Sequence, residues 1–225
     1  MTRRTLLGSA AIAATLNAQS GERRVRHKEW RPRLGVLGKY TPANVEFAKS
    51  QGFTNMILSG GPRSELDRAS SNDAQMEQVK ATLEKNDMRV SAFQITANHI
   101  DPDPRKRSDT NAYIVKAIEL AGKLGVPYIG TASGKDASQP FEAQVDEIVR
   151  VYNEKYFRAC ETNHVRILWE PWPEGPNIAT SPVGFSALFK AFDNSPYVGL
   201  QYDPSHLVRQ FMDPIETARE FVNYI

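Results

Sequence analysis

Cys160 is the only cysteine in the 225-residue chain. An internal disulfide is excluded, so the fold does not depend on an oxidising compartment. Set in the helical pattern NEKYFRACETN, a lone cysteine reads as a small core hydrophobe. No strand is followed by G-x-G-x-x-G or G-x-x-x-x-G-K-[ST], so the usual backbone cradles for nucleotide phosphates are missing. Net basic charge is also lacking once position is considered. The formal charge is +2, but residues 1–33 hold eight Lys/Arg and two Asp/Glu, which leaves 20 basic against 24 acidic residues beyond them. A body with more acids than bases argues against a nucleic-acid partner, whose affinity rests on neutralising phosphates.

The apolar run in MTRRTLLGSAAIAATLNAQS is too short and too weakly apolar to cross a bilayer as a mature helix, so no stable membrane anchor is expected. Its paired Arg3 and Arg4, short Ala-rich stretch and small polar end predict a twin-arginine-type signal peptide over residues 1–20, cut near Ala18 or Ser20. Residues 21–32 read as a linker and residues 33–225 as the folded domain. The expected location is the periplasm or cell envelope.

From Arg33 onward the chain repeats one phrase, a short apolar strand followed by a helix. The strands read RLGVLG, FTNMILSGG, RVSAFQI, VPYIGTA, VRILWE and YVGLQYD. Helices are expected after Thr41-Pro42, over Asn72 to Asn86, Ser108 to Leu124 and Phe141 to Asn163, from Ser181-Pro182 to Phe192, and after Asp213-Pro214. Turn formers precede the strands at Gly52, Asn86-Asp87, Gly125, Asn163 and Asn194. Alternating strands and helices imply an α/β fold with a parallel sheet. Without a nucleotide fingerprint, a (β/α) TIM-type barrel fits better than a doubly wound sheet. Six units are legible and a closed barrel has eight. The expectation is a barrel domain truncated at its C-terminus.

Chemistry in such folds gathers beyond the C-terminal ends of the strands. Strand three leads toward Asn98 and His99, strand four to Thr131, Ser133 and Lys135, strand five to Glu170, and strand six to Asp203 with His206 three residues on. Carboxylates at the mouths of neighbouring parallel strands stand about 5 Å apart at the backbone. Like charges that close raise each other's pKa unless something positive intervenes. A divalent cation is one solution, and carboxylates with imidazole suit Mn, Mg or Zn. Other readings stay open: Asp203-Pro204 is also a good helix N-cap, Glu170 could be a solvated strand end, and His99 could bond loop backbone. Trp169 and Trp172 could wall a sugar site or pack beneath the loop.

Three phrases carry a resemblance: AIELAGKLGVPYIGTASG, ILWEPWP and, most specifically, VGLQYDPSHLVRQFMDP. In them the chain resembles the sugar phosphate isomerase/epimerase family, with its xylose-isomerase-like barrel. The resemblance implies that Glu170 and Asp203 are metal ligands, that Glu170 also shuttles a proton, and that His206 binds substrate or, as in relatives with several metals, a second ion. His99, Trp172 and Lys135 are further candidates for substrate contact. The family's remaining two ligands, a His on strand seven and a Glu on strand eight, have no counterpart in these residues.

The expected function is therefore a divalent-metal-dependent sugar isomerase or epimerase working through a metal-stabilised enediolate on a small sugar or polyol. Lyase or dehydratase chemistry from the same enediolate is a near variant. A catalytically inactive sugar-binding barrel and an apurinic-endonuclease-like hydrolase are the rivals from other classes. The latter is disfavoured because strand four ends TASG, without a histidine. The sequence leaves a homo-oligomer open.

Overall fold

Helix starts in this chain are set by side chains that accept the first free backbone N–H groups. Thr41 takes the N–H of Asn44 at 3.0 Å, and Asn72 and Gln75 form a reciprocal capping box. Asp103, Asp203 and Asp213 cap in the same way, each followed by a proline at the first helical position. Ser181 has the extended N-cap backbone but makes no capping bond with its side chain.

The computed structural model describes residues 32–67 and 72–225. The leader and most of the linker expected from the sequence lie outside the described residues. Within Leu34–Ile225, one compact unit, the elements run β1 (Gly35–Gly38), α1 (Pro42–Ser50), β2 (Asn55–Ser59), α2 (Asp73–Lys85), β3 (Arg89–Gln94), α3 (Pro104–Lys123), β4 (Tyr128–Thr131) and α4 (Phe141–Val151). A π-helical turn, Tyr152–Tyr156, joins α4 to α5 (Phe157–Asn163). Then follow β5 (Arg166–Trp169), α6 (Pro182–Ala191), β6 (Val198–Leu200), α7 (Pro204–Arg209), α8 (Pro214–Glu220) and a 3₁₀ turn, Val222–Tyr224. No described helix is long and apolar enough to cross a membrane.

All six strands pair in parallel, in the order β1-β2-β3-β4-β5-β6. Every strand therefore delivers its C-terminal end to one side. This is the barrel order; among the described residues the sheet does not close, and β1 and β6 each pair on one side only. The strand period of two separates the faces. Along β5, Ile167 and Trp169 are fully buried under the helices, while Arg166 and Leu168 on the other face are half-buried. The backbone turns back to the sheet through residues in the left-handed region: Gly52 and Asp87 before β2 and β3, Gly125 before β4. Before β5 that role falls to His164 at φ 55°, rather than to Asn163 as expected.

The core lies between sheet and helices. Trp169 donates from Nε1 to the Tyr152 hydroxyl at 2.9 Å and packs against Phe189 and Phe192. It is a core residue, not a wall of the site. The π turn interrupts what the sequence suggested was one helix, and it carries Tyr152 and Tyr156, both buried, toward Trp169 and His99. Cys160 is buried as expected, and burial pushes its thiol up to about 12, which leaves it unreactive.

His99 does not reach open space, contrary to the substrate contact expected of it. It is fully buried, and both ring nitrogens face protein groups. Nε2 lies 2.9 Å from the Ala132 carbonyl and 3.3 Å from Thr131 Oγ1; Nδ1 lies 2.9 Å from the Tyr156 hydroxyl. A carbonyl oxygen only accepts, so Nε2 carries the proton, while the Tyr156 hydroxyl that faces Nδ1 donates to Asn111 Oδ1 at 2.6 Å. Burial lowers the imidazole to about 4, against the backbone bond to Ala132, which raises it.

Two outcomes follow from this core. Trp169→Ala is expected to cost about 3–5 kcal/mol of unfolding free energy, measured by urea denaturation. His99 stays neutral in the fold below the pH at which the unfolded chain protonates it. Its contribution is thus complete above about pH 6.5 and is lost as pH falls toward 4, on the order of 3 kcal/mol in all. His99→Gln should flatten that part of the stability–pH curve, and parallel curves for the two proteins would show that His99 does not titrate in this way.

Candidate functional site

Strand register builds the site. β5 pairs with β6 as Ile167↔Val198, Leu168↔Gly199 and Trp169↔Leu200, and the ladder continues with Gln201 N–H donating to the Trp169 carbonyl at 3.0 Å. Glu170 N–H likewise donates to the Thr131 carbonyl at 3.0 Å. Glu170 follows buried Trp169, so the alternation turns it to the face opposite the helices. Asp203 stands just beyond β6 and opens α7, whose first turn returns His206 toward the same point.

Glu170, Asp203 and His206 each offer a ligand atom within 4.8 Å of the others, all half-buried. His206 Nε2 lies 3.1 Å from Glu170 Oε1 and 3.6 Å from Asp203 Oδ2. Asp203 divides its labour between its two oxygens. Oδ1 caps α7 by accepting from Ser205 N–H at 2.8 Å and Ser205 Oγ at 2.6 Å, while Oδ2 faces the histidine. The capping and the functional readings of this residue are thus compatible. Partial burial pushes the Asp203 carboxyl up, but the two Ser205 hydrogen bonds and the His206 ring outweigh it and hold the group below its ordinary range. Two carboxylates and an imidazole at this separation form a donor set that fits a divalent cation such as Mn, Mg or Zn.

The loop after β5 is pinned by one residue that the sequence reading missed. Buried Asn177 donates from Nδ2 to the Glu170 and Trp172 carbonyls, both at 2.9 Å. Its Oδ1 accepts from Ser133 N–H at 3.0 Å and Ser133 Oγ at 2.9 Å. Ser133 Oγ in turn accepts from the Ile178 and Ala179 N–H groups. The loop bearing Glu170 is thereby locked to the end of β4. Trp172 is half-buried beside it, held through its backbone. Lys135 is exposed, and its loop is tied to the β3–α3 loop by Asn98, which bonds both its N–H and its carbonyl. Neither Trp172 nor Lys135 joins the Glu170 cluster by a direct bond, and His99 lies in the core.

A second missed residue is Gln94, which ends β3 and donates from Nε2 to Glu170 Oε2 at 2.7 Å. The signal for it is the period of two along RVSAFQI; Asn98 and His99 lie four and five residues further along the chain.

The chain matches the family described as xylose isomerase-like TIM barrel over residues 45–225. It is similar to YfiH of Bacillus subtilis strain 168, an uncharacterized protein, at 26% identity over 203 residues covering 78% of this chain and 63% of that protein. The chain therefore spans less than two thirds of that relative's length. In fold it is similar to 3-keto-D-glucoside 4-epimerase, YcjR, from E. coli, with a TM-score of 0.71 at 11% identity, covering 87% of this chain and 77% of that one. A xylose isomerase-like TIM barrel protein from Mycobacterium smegmatis in complex with magnesium gives a TM-score of 0.64 at 18% identity, over 82% and 63% of the two chains. A match across most of the chain, with the strand order that such barrels share, has a plain conclusion: the protein belongs to the xylose isomerase-like TIM barrel family.

Proposed function

We propose that the protein is a divalent-metal-dependent isomerase or epimerase acting on a sugar or related polyol. The observation that carries this reading is the convergence of Glu170, Asp203 and His206 at the C-terminal ends of β5 and β6. Epimerase and magnesium-bound relatives of the same fold support it. Glu170 and Asp203 are the residues that would hold the ion, with Mn, Mg or Zn all compatible. When bound, the ion supplies positive charge that stabilises negative charge developing on substrate oxygens.

The chain's own groups divide the remaining work. Glu170 takes up the proton from the carbon beside the substrate carbonyl. His206 Nε2, which faces Glu170 Oε1, would turn its N–H to a substrate oxygen bound beside it. Trp172 and Lys135, on loops that Asn177 and Asn98 pin, form the substrate rim. Export through the twin-arginine leader belongs to the same reading and rests on residues 1–20 alone.

The test is solvent exchange. Free keto- and aldo-sugars are incubated in D₂O with the protein and Mn²⁺ or Mg²⁺, and deuterium entry beside the carbonyl is followed by proton NMR. Glu170→Gln is expected to slow entry by about 10²–10⁴-fold. Undiminished exchange in that variant with the ion still bound would remove Glu170 from proton transfer. Ion and sugar binding with no exchange in the wild type would favour an inactive sugar-binding barrel.

A further inference from the structure

The Gln94 bond to Glu170 has a continuation. Its Nε2 is committed to Glu170 Oε2, so its Oε1 points the other way, over Gly130 of β4. The Gln201 side chain, from the first residue past β6, reaches the same place. A Cβ on Gly130 would stand 2.4 Å from Gln94 Oε1 and 2.0 Å from Gln201 Oε1. The two amides therefore occupy the volume that any side chain at residue 130 would fill. As placed, both oxygens are shielded from solvent and neither has a hydrogen-bond partner among the described residues.

Two buried acceptors sharing the small volume over Gly130 without a donor is an unfavourable arrangement that one rotation relieves. The two ends of an amide are nearly equal in shape, and turning the Gln201 amide about its last torsion presents an N–H donor to Gln94 Oε1. The Gln94 amide cannot turn in the same way, because a carboxylate oxygen accepts only.

We propose that Gln201, Gln94 and Glu170 form an amide relay across β6, β3 and β5, and that Gln94 and Gln201 are positioning residues for the Glu170 carboxylate. Gln201 N–H donates to Gln94 Oε1, and Gln94 N–H donates to Glu170 Oε2. Glu170 is then held by one oxygen, with Oε1 presented to His206 and the ion. Gly130 is part of the device, since only a residue without a side chain leaves room for the amides to meet. The role toward the ion rests on the metal reading given above; the relay itself does not.

Gly130→Ala is the informative variant, because its methyl meets the far ends of two flexible side chains rather than backbone. It should displace the relay while leaving the thermal midpoint near that of the wild type. Mn²⁺ affinity, read by electron paramagnetic resonance of the free ion, is expected to fall about 10–100-fold in Gly130→Ala and in Gln94→Leu. The double variant should be no weaker than either single one, because both break one chain of contacts. Wild-type affinity in a folded Gly130→Ala protein, or losses that multiply, would overturn the positioning role. The metal-free protein gives a separate reading. The Gln94 side-chain N–H signals in nitrogen-15 NMR should move in Glu170→Gln and in Gly130→Ala. Signals indifferent to both changes would overturn the relay itself, including in the case where the wild type takes up no Mn²⁺ and the metal reading fails alone.

Discussion

The register of β5 against β6 is the constraint on which the strand-end chemistry depends. Trp169 pairs with Leu200, so Glu170 and Gln201 leave their strands side by side, and Asp203 follows two residues later. Because side chains alternate between faces, a slip of one residue would send Glu170 into the helix layer and bring Trp169 out of it. Trp169 is fully buried among Phe189, Phe192 and Tyr152, and this burial resists the slip. The apolar anchor and the polar site are thus adjacent residues of one strand, each enforcing the orientation of the other.

Buried polar side chains do the rest of the positioning, and they do it by being fully used. Asn177 and Ser133 spend their donors and acceptors on the backbone of the β5–α6 loop, which leaves that loop little freedom. His99 ties the β3–α3 loop to β4 and to the π turn in the same manner. A group satisfied on every side rigidifies its surroundings, whereas one left unpaired in low dielectric is costly. The convergence of Gln94 and Gln201 over Gly130 stands out against this background. Most buried side chains nearby have partners, so two amide oxygens without one mark a place where orientation matters.

Much was legible from local pattern. Thr41, Asn72, Asp203 and Asp213 announced helix starts because capping is a contact between residues two or three apart. Gly52 and Gly125 announced returns to the sheet because a left-handed backbone suits a residue without a Cβ. Glu170, Asp203 and His206 could be grouped because each follows an apolar strand, and parallel strands deliver their ends together. His99 was misread for a related reason: position after a strand says that a side chain is near the strand ends but not whether it turns outward or inward. The one-helix reading of residues 141–163 failed because periodicity alone does not register a π turn whose tyrosines are claimed by distant partners.

The amino-acid sequence by itself determined the order of the strands, most of the helix caps, the burial of Cys160 and which chemical groups arrive at the strand ends. These follow from local sterics and from the periods of two and 3.6, which act over a few residues. Only the tertiary structure decided that His206 meets Glu170, that His99 is enclosed, and that Gln94, Gln201 and Gly130 meet. Those outcomes require contacts between residues 32 to 107 positions apart, and their geometry is set by register and packing, for which no local pattern in the chain carries a signature.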